Sequence, residues 1–132
     1  MSKLFAYGTL QVPEVMLAVT GKTFVSHPAR LNHYARRCLR GKSYPGLCPA
    51  PGLSVDGLVF VGIDAQTQQR LDEFEDVFYR REPLRVSLAD GTEWMAQTYV
   101  MREEFHGLLL PEEWSLAEFK RTGLPQFLRR HT

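Results

Sequence analysis

Four acidic side chains fall within five consecutive positions near the middle of the chain, in the segment Leu71-Asp72-Glu73-Phe74-Glu75-Asp76. Carboxylates can serve as general acids or bases when they are positioned against a reacting group. On a helix of about 3.6 residues per turn, Leu71, Phe74 and Phe78 fall on one apolar stripe, and Glu75 lies at its edge. The other three acids turn progressively toward water: Asp72, Glu73 and Asp76.

Glu75 is therefore the acid of this segment that we expect to be partly desolvated. Burial disfavours the charged form of a carboxyl group and raises its pKa toward the value that an acid or base needs near neutral pH. The same residue could instead form an ordinary ion pair with Arg80 or Arg81, which follow it closely. The pattern of residues leaves both interpretations open.

A second segment of interest is Tyr7-Gly8-Thr9-Leu10, called the 7–10 turn below. It follows a short apolar run that predicts a buried strand over residues 4–7. Gly8 and Thr9 then predict a tight turn at the end of this strand. On its own, the segment is better explained as a turn that only ends a strand.

The elements that must position these residues follow from apolar periodicity, glycine and proline. Strands are predicted over residues 24–25, 29–34, 55–63, 80–88 and 92–101, and helices over 13–19, 65–75 and 115–123. Residues 43–52, rich in proline and glycine, predict a long irregular loop. Internal Gly57 and Gly62 indicate bulges or sharp bends, as in a closed barrel. The expected fold is α+β, a small and mostly antiparallel β-barrel with two or three flanking short helices, in one domain covering residues 1–132.

Charge and apolar content exclude several classes of function. The chain has 16 Lys and Arg against 15 Asp and Glu, which argues against a nucleic-acid or membrane-surface binder. We expect the basic run Arg129-Arg130-His131 to be a solvated tail. No apolar stretch approaches the roughly 20 residues of a membrane helix, and the start lacks a signal-peptide pattern. The expectation is a soluble, cytoplasmic protein.

The cysteines and histidines do not follow a metal-binding pattern. Cys38 and Cys48 lack the CxxC or Cys/His spacing of a ligand set. His27, His33 and His106 have no Ser, Cys or carboxylate partner at a recognisable spacing. We therefore expect no metal and no cofactor.

Three segments together resemble the signature of the γ-glutamylcyclotransferase-like superfamily. They are Phe5-Ala6-Tyr7-Gly8-Thr9-Leu10 for the opening YG(S/T)L, Gly57-Leu58-Val59-Phe60 for the strand written G-x-ϕ-ϕ, and Leu71-Asp72-Glu73-Phe74-Glu75 with Tyr79-Arg80 for the segment LDxxE…Y(x)R. In order and spacing the resemblance extends from Leu4 to about Leu128. Tyr99 and residues 114–119 are similar to the plant avirulence-induced and γ-glutamylamine cyclotransferase branches.

The resemblance departs from the superfamily at one place. Asp76 stands where a glycine commonly follows the glutamate, and the gap to Tyr79 is shorter than in the glutathione-pathway enzymes. The fold and the reaction type are implied by the resemblance, whereas the substrate is left open.

The reaction that the resemblance implies is an intramolecular aminolysis. The free α-amine of a γ-glutamyl group attacks its own γ-carbonyl, which gives 5-oxoproline and a free amine. Glu75 would be the general acid and base of this reaction. The superfamily's binding turn corresponds to Tyr7, Gly8, Thr9 and Leu10, which would hold the α-carboxylate. Tyr79 and Tyr99 would be the phenols that hydrogen-bond Glu75 or the substrate. Arg80 would either orient Glu75 or only close a surface ion pair.

Two other functions remain compatible with the same residues. One is a related hydrolase of acyl amines, and the other is a binding or stress-response module that keeps the fold without turnover. The leaving amine is also open: glutathione, a γ-glutamyl amino acid, an isopeptide or a pathway intermediate would all present the same γ-glutamyl half. We expect the other half to contact the loop at residues 43–51. The oligomeric state is open.

Overall fold

Five strands close into a barrel in the computed structural model, which describes residues 1–75 and 77–131 without the side chain of His131. The strands, including a sixth outside the barrel, are β1 (Ser2–Ala6), β2 (Ser26–Leu39), β3 (Pro45–Ile63), β4 (Tyr79–Leu88), β5 (Glu93–Met101) and β6 (Leu109–Glu113). Their order is β3-β1-β5-β4-β2, and pairing of β2 with β3 closes the ring. Only β1 and β5 pair in parallel, and β6 extends the sheet beside β2.

Helices cover one side of the barrel. They are α1 (Pro13–Thr20), α2 (Ala65–Phe74), α3 (Leu116–Glu118) and α4 (Leu124–His131), and a π-helical turn (Phe119–Gly123) joins the last two into one continuous C-terminal helix. Short 3-10 turns lie at Thr9–Gln11 and Glu103–Leu108. The predicted class, an α+β fold with a small and mostly antiparallel barrel and a few flanking helices, is confirmed. No helix within the described ranges is long and apolar enough to span a membrane.

Two hydrophobic clusters stabilise this arrangement. One fills the barrel with side chains from its five strands, including Phe5, Val59 and Val100. The other packs the outer barrel wall against the helices, with Leu71 of α2 and Phe119 of the C-terminal helix fully or almost fully buried. Because successive strand residues point to opposite faces, β1 contributes to both clusters.

Several local features of the fold depend only on neighbouring residues in the sequence. The Asp64 carboxylate caps α2 by accepting a hydrogen bond from the Thr67 N–H at 2.7 Å. Gly21 ends α1 in the left-handed conformation, with φ of 75°. Gly91, with φ of 87°, lies in the turn between β4 and β5.

The irregular loop predicted for residues 43–52 is wrong. Pro45 already begins β3, which pairs with β2 through Pro45, Pro49 and onward to Phe60. The first half of β3 has only β2 beside it, because β1 joins β3 from Leu58 onward. Prolines are tolerated there, since an edge strand needs no N–H donor on its open side.

Two helix ends and one strand also differ from the predictions. The C-terminal helix does not end at Gly123 but continues through it. Glycine occurs at this position for packing and not to end the helix, since a Cβ atom there would lie 2.6 Å from Cδ1 of Phe119. Arg129 and Arg130 consequently belong to α4 and not to a loose tail. Phe78 is not on α2, which ends at Phe74, and its ring packs on Phe105 instead. Residues 24–25 precede β2 and are not a strand.

The close packing of β1 on β3 leads to a prediction about Gly57. A Cβ atom at this position would overlap the Ala6 carbonyl oxygen and contact the Phe5 ring, so Gly57→Ala should lower the free energy of unfolding by about 1–3 kcal/mol. Gly107→Ala is the matched control, because nothing lies near its Cβ position, and it should change stability by less than about 0.5 kcal/mol. Urea denaturation of the two variants checks this, and equal stabilities would contradict it.

Candidate active site

A cavity of about 230 Å³ opens where the end of β1, the end of α2 and the C-terminal helix meet. The barrel contributes its wall, and the 7–10 turn follows directly from β1. Beyond these, the cavity is lined by Ser43, Tyr44, Pro45, Phe74, Glu75, Tyr79, Tyr99, Phe119, Gly123, Gln126, Phe127 and Arg130.

The structure brings most of the candidate residues to this cavity. Glu75, Tyr79, Tyr99 and all four members of the 7–10 turn line it. Arg80 is placed differently: it lines an open outer cleft of about 390 Å³, and its Nε donates to the Glu82 carboxylate at 2.9 Å. Glu75 lines both the inner cavity and this outer cleft.

The backbone at the end of α2 positions Glu75. Its N–H donates to the Leu71 carbonyl at 3.1 Å, while its own backbone is extended, with φ of −67° and ψ of 142°. Glu75 is thus the C-cap residue of α2, where the chain turns away from the helix direction. Its side chain is half-buried. The sequence predicted partial burial from helical periodicity, whereas the change of direction at the helix end produces it. Asp76, predicted to face water, lies outside the described residues.

Tyr7 is a buried phenol at the end of β1. Its O–H donates to the Tyr99 carbonyl at 2.6 Å, and its own carbonyl accepts from Nη1 of Arg36 at 2.9 Å. Burial raises the pKa of Tyr7 well above 10, and electrostatic repulsion from the neighbouring acidic groups of Tyr79 and Glu75 raises it further. The Arg36 guanidinium opposes this increase. Tyr7 therefore remains a neutral donor at any pH where an enzyme works.

Tyr99 links β5 to the last turn of α2. Its O–H donates to Oδ1 of Asp72 at 2.6 Å, and its oxygen accepts from Nε2 of Gln68 at 3.0 Å. Arg81 completes the group by donating from Nε to Oδ1 of Asp72 at 2.9 Å. Burial, followed by the Asp72 hydrogen bond and the nearby charges of Asp72 and Glu75, raises the pKa of Tyr99, against the opposing charge of Arg81.

This network is a feature that the sequence analysis missed. Asp72 was expected to face water, and its side chain is 41% exposed, yet it fixes the helix end just before Glu75. The spacing of Gln68 and Asp72, one helical turn apart, was the available signal that both reach the same neighbour. The sequence offers Arg80 and Arg81 as possible ion-pair partners of Glu75. In the structure, Arg81 forms an ion pair with Asp72 and Arg80 forms one with Glu82.

Pro45 holds the 7–10 turn against the start of β4. The Tyr79 O–H donates to the Pro45 carbonyl, and a Cβ atom on Gly8 would lie 3.0 Å from the Pro45 ring. Glycine at position 8 therefore makes room for this approach. Of the segment predicted as a loop, only Ser43, Tyr44 and Pro45 line the cavity.

The C-terminal helix supplies a wall that the sequence analysis did not foresee. The helix was predicted to end at Gly123. In the structure it continues into α4, and Gln126, Phe127 and Arg130 line the cavity. The ring of Phe127 packs edge-on against Phe74, with centroids 6.0 Å apart. The amphipathic pattern beyond Gly123 was the signal that could have shown it.

The histidines and cysteines lie elsewhere. His33 accepts a hydrogen bond from the Gly52 N–H, His27 packs edge-on against Trp94, and His106 contacts the Met101 carbonyl. Burial, with the charge of Glu112, raises the pKa of the Cys38 thiol, and Cys48 is buried. In residues 1–75 and 77–131 no three His, Cys, Asp or Glu side chains come together as a metal site.

Comparison with known proteins relates this geometry to one family. The family model "Gamma-glutamyl cyclotransferase, AIG2-like" matches residues 4–116. AIG2-like protein D of Arabidopsis thaliana is 32% identical over 131 residues, which cover 98% of this chain and 86% of that protein.

Solved structures show the same fold. The solution structure of an Arabidopsis thaliana protein superposes with a TM-score of 0.76 at 25% identity, covering 98% of this chain and 87% of that one. A structure titled gamma-glutamyl cyclotransferase superposes with a TM-score of 0.69 at 20% identity, covering 98% of this chain and 84% of its own.

The buried phenols predict a loss of stability at alkaline pH. The pKa values of Tyr7 and Tyr99 are higher in the folded chain than the value of about 10 expected when unfolded. The contribution of these phenols to the free energy of unfolding is complete below about pH 10 and decreases as the pH rises further. Tyr7 alone should lower the free energy of unfolding by about 1.4 kcal/mol per pH unit in that range. Urea denaturation between pH 8 and pH 11.5 measures the slope, and Tyr7→Phe should reduce it. A variant with the slope of the wild type would contradict this assignment.

Proposed function

The chain belongs to the AIG2-like γ-glutamyl cyclotransferase family, and we propose that it converts a γ-glutamyl amide to 5-oxoproline and a free amine. The observation that carries this proposal is the meeting of the Glu75 side chain and the 7–10 turn at one cavity, although the two are far apart in the sequence. A carboxylate beside a turn rich in backbone donors suits a substrate that carries an ammonium and a carboxylate on the same carbon.

The size of the cavity favours a small substrate. Its volume of about 230 Å³ is below the range of about 300–1,000 Å³ that is typical for drug-sized ligands. A γ-glutamyl group with one small or medium amine fits this description better than an isopeptide within an intact protein.

The 7–10 turn is the proposed site for the α-carboxylate of the glutamyl group. Gly8 precedes the 3-10 turn at Thr9–Gln11 and has no side chain to cap its first N–H groups. Such groups carry partial positive charge and can donate to a carboxylate. Neighbouring donors of the same turn would stabilise the oxyanion that forms on the γ-carbonyl.

Glu75 would carry two protons, one after the other, from the attacking nitrogen to the leaving nitrogen. Its carboxylate takes a proton from the α-ammonium, and the resulting amine attacks the γ-carbonyl carbon to close a five-membered ring. Glu75 gives this proton to the leaving nitrogen, whose bond to carbon then breaks. The ring nitrogen, which is positively charged after the attack, loses its second proton to Glu75, and the released amine takes it up. Because the nucleophile is already tethered to the carbonyl, most of the catalysis consists of holding the folded conformer.

The phenols would shape the site around this carboxylate without ionising. The O–H groups of Tyr7 and Tyr79 donate to the carbonyls of Tyr99 and Pro45. A phenol oxygen can accept as well as donate, so either one could also accept from the substrate ammonium. Tyr99 acts through Asp72 on the helix end. Arg80 belongs to the outer cleft and is not assigned a contact with substrate.

Replacement of the proposed acid and base tests the reaction directly. The purified protein should release 5-oxoproline from at least one member of a panel of γ-glutamyl compounds, measured by mass spectrometry. Glu75→Gln should lower kcat by at least about 100-fold, because the amide cannot accept the proton. Glu73→Gln is the matched control: Glu73 is exposed, bonds to Gln69, and should leave turnover near that of the wild type.

A folded wild-type protein that releases no 5-oxoproline from any compound would overturn the proposed reaction. Release of free glutamate instead of 5-oxoproline would point to an acyl-amine hydrolase. Binding without any product would favour a module that keeps the fold without turnover.

The network at the end of α2 yields a separate prediction. Asp72→Asn weakens the link from Tyr99 to the helix end and should lower kcat by about 10- to 100-fold with little change in KM, because it displaces Glu75 without removing it. Tyr99→Phe should act in the same way, and the double variant should be no worse than the more severe single one. Additive losses in steady-state kinetics would show that the two residues act independently.

A further inference from the structure

The part of the cavity formed by the C-terminal helix lies outside the segment that the family model matches. That segment ends at residue 116, whereas the wall contains Phe119, Gly123, Gln126, Phe127 and Arg130. These residues lie on a different element from Glu75 and the 7–10 turn. They are therefore suited to contact the amine half of the substrate, which differs from one γ-glutamyl compound to another. The invariant γ-glutamyl half is already assigned to the 7–10 turn and Glu75.

The charge of this wall comes from Arg130. Among the described residues that line the cavity, the side chains with a full charge are Glu75 and Arg130. Within the described part of the chain, the ion pairs found do not include Arg130, although Arg121 on the same helix pairs with Glu118. The Arg130 side chain is exposed to solvent at the cavity wall and can therefore receive an anionic group from a ligand.

Aromatic rings share the cavity wall with these two charges. Phe74 directly precedes Glu75 in the chain, and its ring packs edge-on against Phe127. Phe127 in turn lies three residues before Arg130, which is the spacing of neighbours on one helix face. A group bound along this wall would contact apolar surface beside Glu75 and a guanidinium at Arg130.

We propose that α4 forms the subsite for the leaving amine, in which Arg130 binds a carboxylate of that amine and Phe74 with Phe127 contacts its apolar side chain. The substrate class is then a γ-glutamyl derivative of a single apolar or aromatic amino acid, rather than of an amine that lacks a carboxylate. This inference rests on the proposed function, because a leaving amine exists only if the γ-glutamyl bond is broken.

Two substrates that differ only in the carboxylate test the assignment. They are γ-glutamyl-phenylalanine and γ-glutamyl-phenethylamine, which share the γ-glutamyl group and the aromatic ring. In the wild type, kcat/KM for the first should exceed that for the second by at least about tenfold, as expected for a hydrogen bond to a charged group. Arg130→Gln should bring the ratio close to one by lowering the value for γ-glutamyl-phenylalanine alone.

Arg129→Gln is the matched control, because Arg129 is an exposed arginine of the same helix and lies outside the cavity lining. It should preserve the wild-type ratio. A ratio near one in the wild type would overturn the inference. An equal loss for both substrates in Arg130→Gln, with an unchanged melting temperature, would do the same, because Arg130 would then act on the γ-glutamyl half.

Binding separates a failure of this inference from a failure of the proposed reaction. Calorimetric titration of Glu75→Gln with both compounds should show tighter binding of γ-glutamyl-phenylalanine, and the preference should disappear in the double variant with Arg130→Gln. If this preference is found but the wild type releases no 5-oxoproline, the subsite stands and the cyclotransferase reaction fails. If neither compound binds, the subsite is contradicted.

Discussion

Tyr99 joins the three elements that carry the candidate site. Its carbonyl accepts from Tyr7 at the end of β1, and its O–H donates to Asp72 on α2, while its own backbone belongs to β5. Buried phenols are costly unless their polar atoms are paired, so these hydrogen bonds constrain how the helix can sit on the barrel. The 7–10 turn and Glu75 each follow directly from one of the joined elements. The hydrogen bonds of Tyr99 therefore help to fix the positions of the 7–10 turn and Glu75 at the cavity.

Glu75, which follows the end of α2, borders two spaces at once. It lines the inner cavity together with aromatic and apolar side chains, and it also lines the outer cleft beside Arg80, Arg81 and Arg102. In the proposed reaction, the inner cavity would hold the substrate beside this carboxylate. In the same reaction, the outer cleft would let the carboxyl group exchange a proton with solvent.

The sequence predicts those parts of the fold that local signals determine, and it fails where tertiary packing overrides them. Asp64 and Gly21 act on their own helix ends, and the Glu75 region was found because acids and apolar residues follow one helical period. Pro45 and Pro49 predict a loop by any local rule, yet the open edge of the β2–β3 ribbon accepts them. Gly123 predicts a helix end, but the Phe119 ring requires a glycine inside the helix. The cavity wall formed by Arg130 was missed as a consequence.

The most direct test of the account is a crystal structure of the Glu75→Gln variant with a bound γ-glutamyl compound. The account predicts that the γ-glutamyl group lies in the inner cavity, with its α-carboxylate at the backbone N–H groups of the 7–10 turn. Its α-nitrogen should lie within about 3 Å of the side chain at position 75, the distance needed for proton transfer. A γ-glutamyl group bound outside this cavity, or bound with its α-nitrogen turned away from position 75, would contradict the assignment of Glu75 as the acid and base.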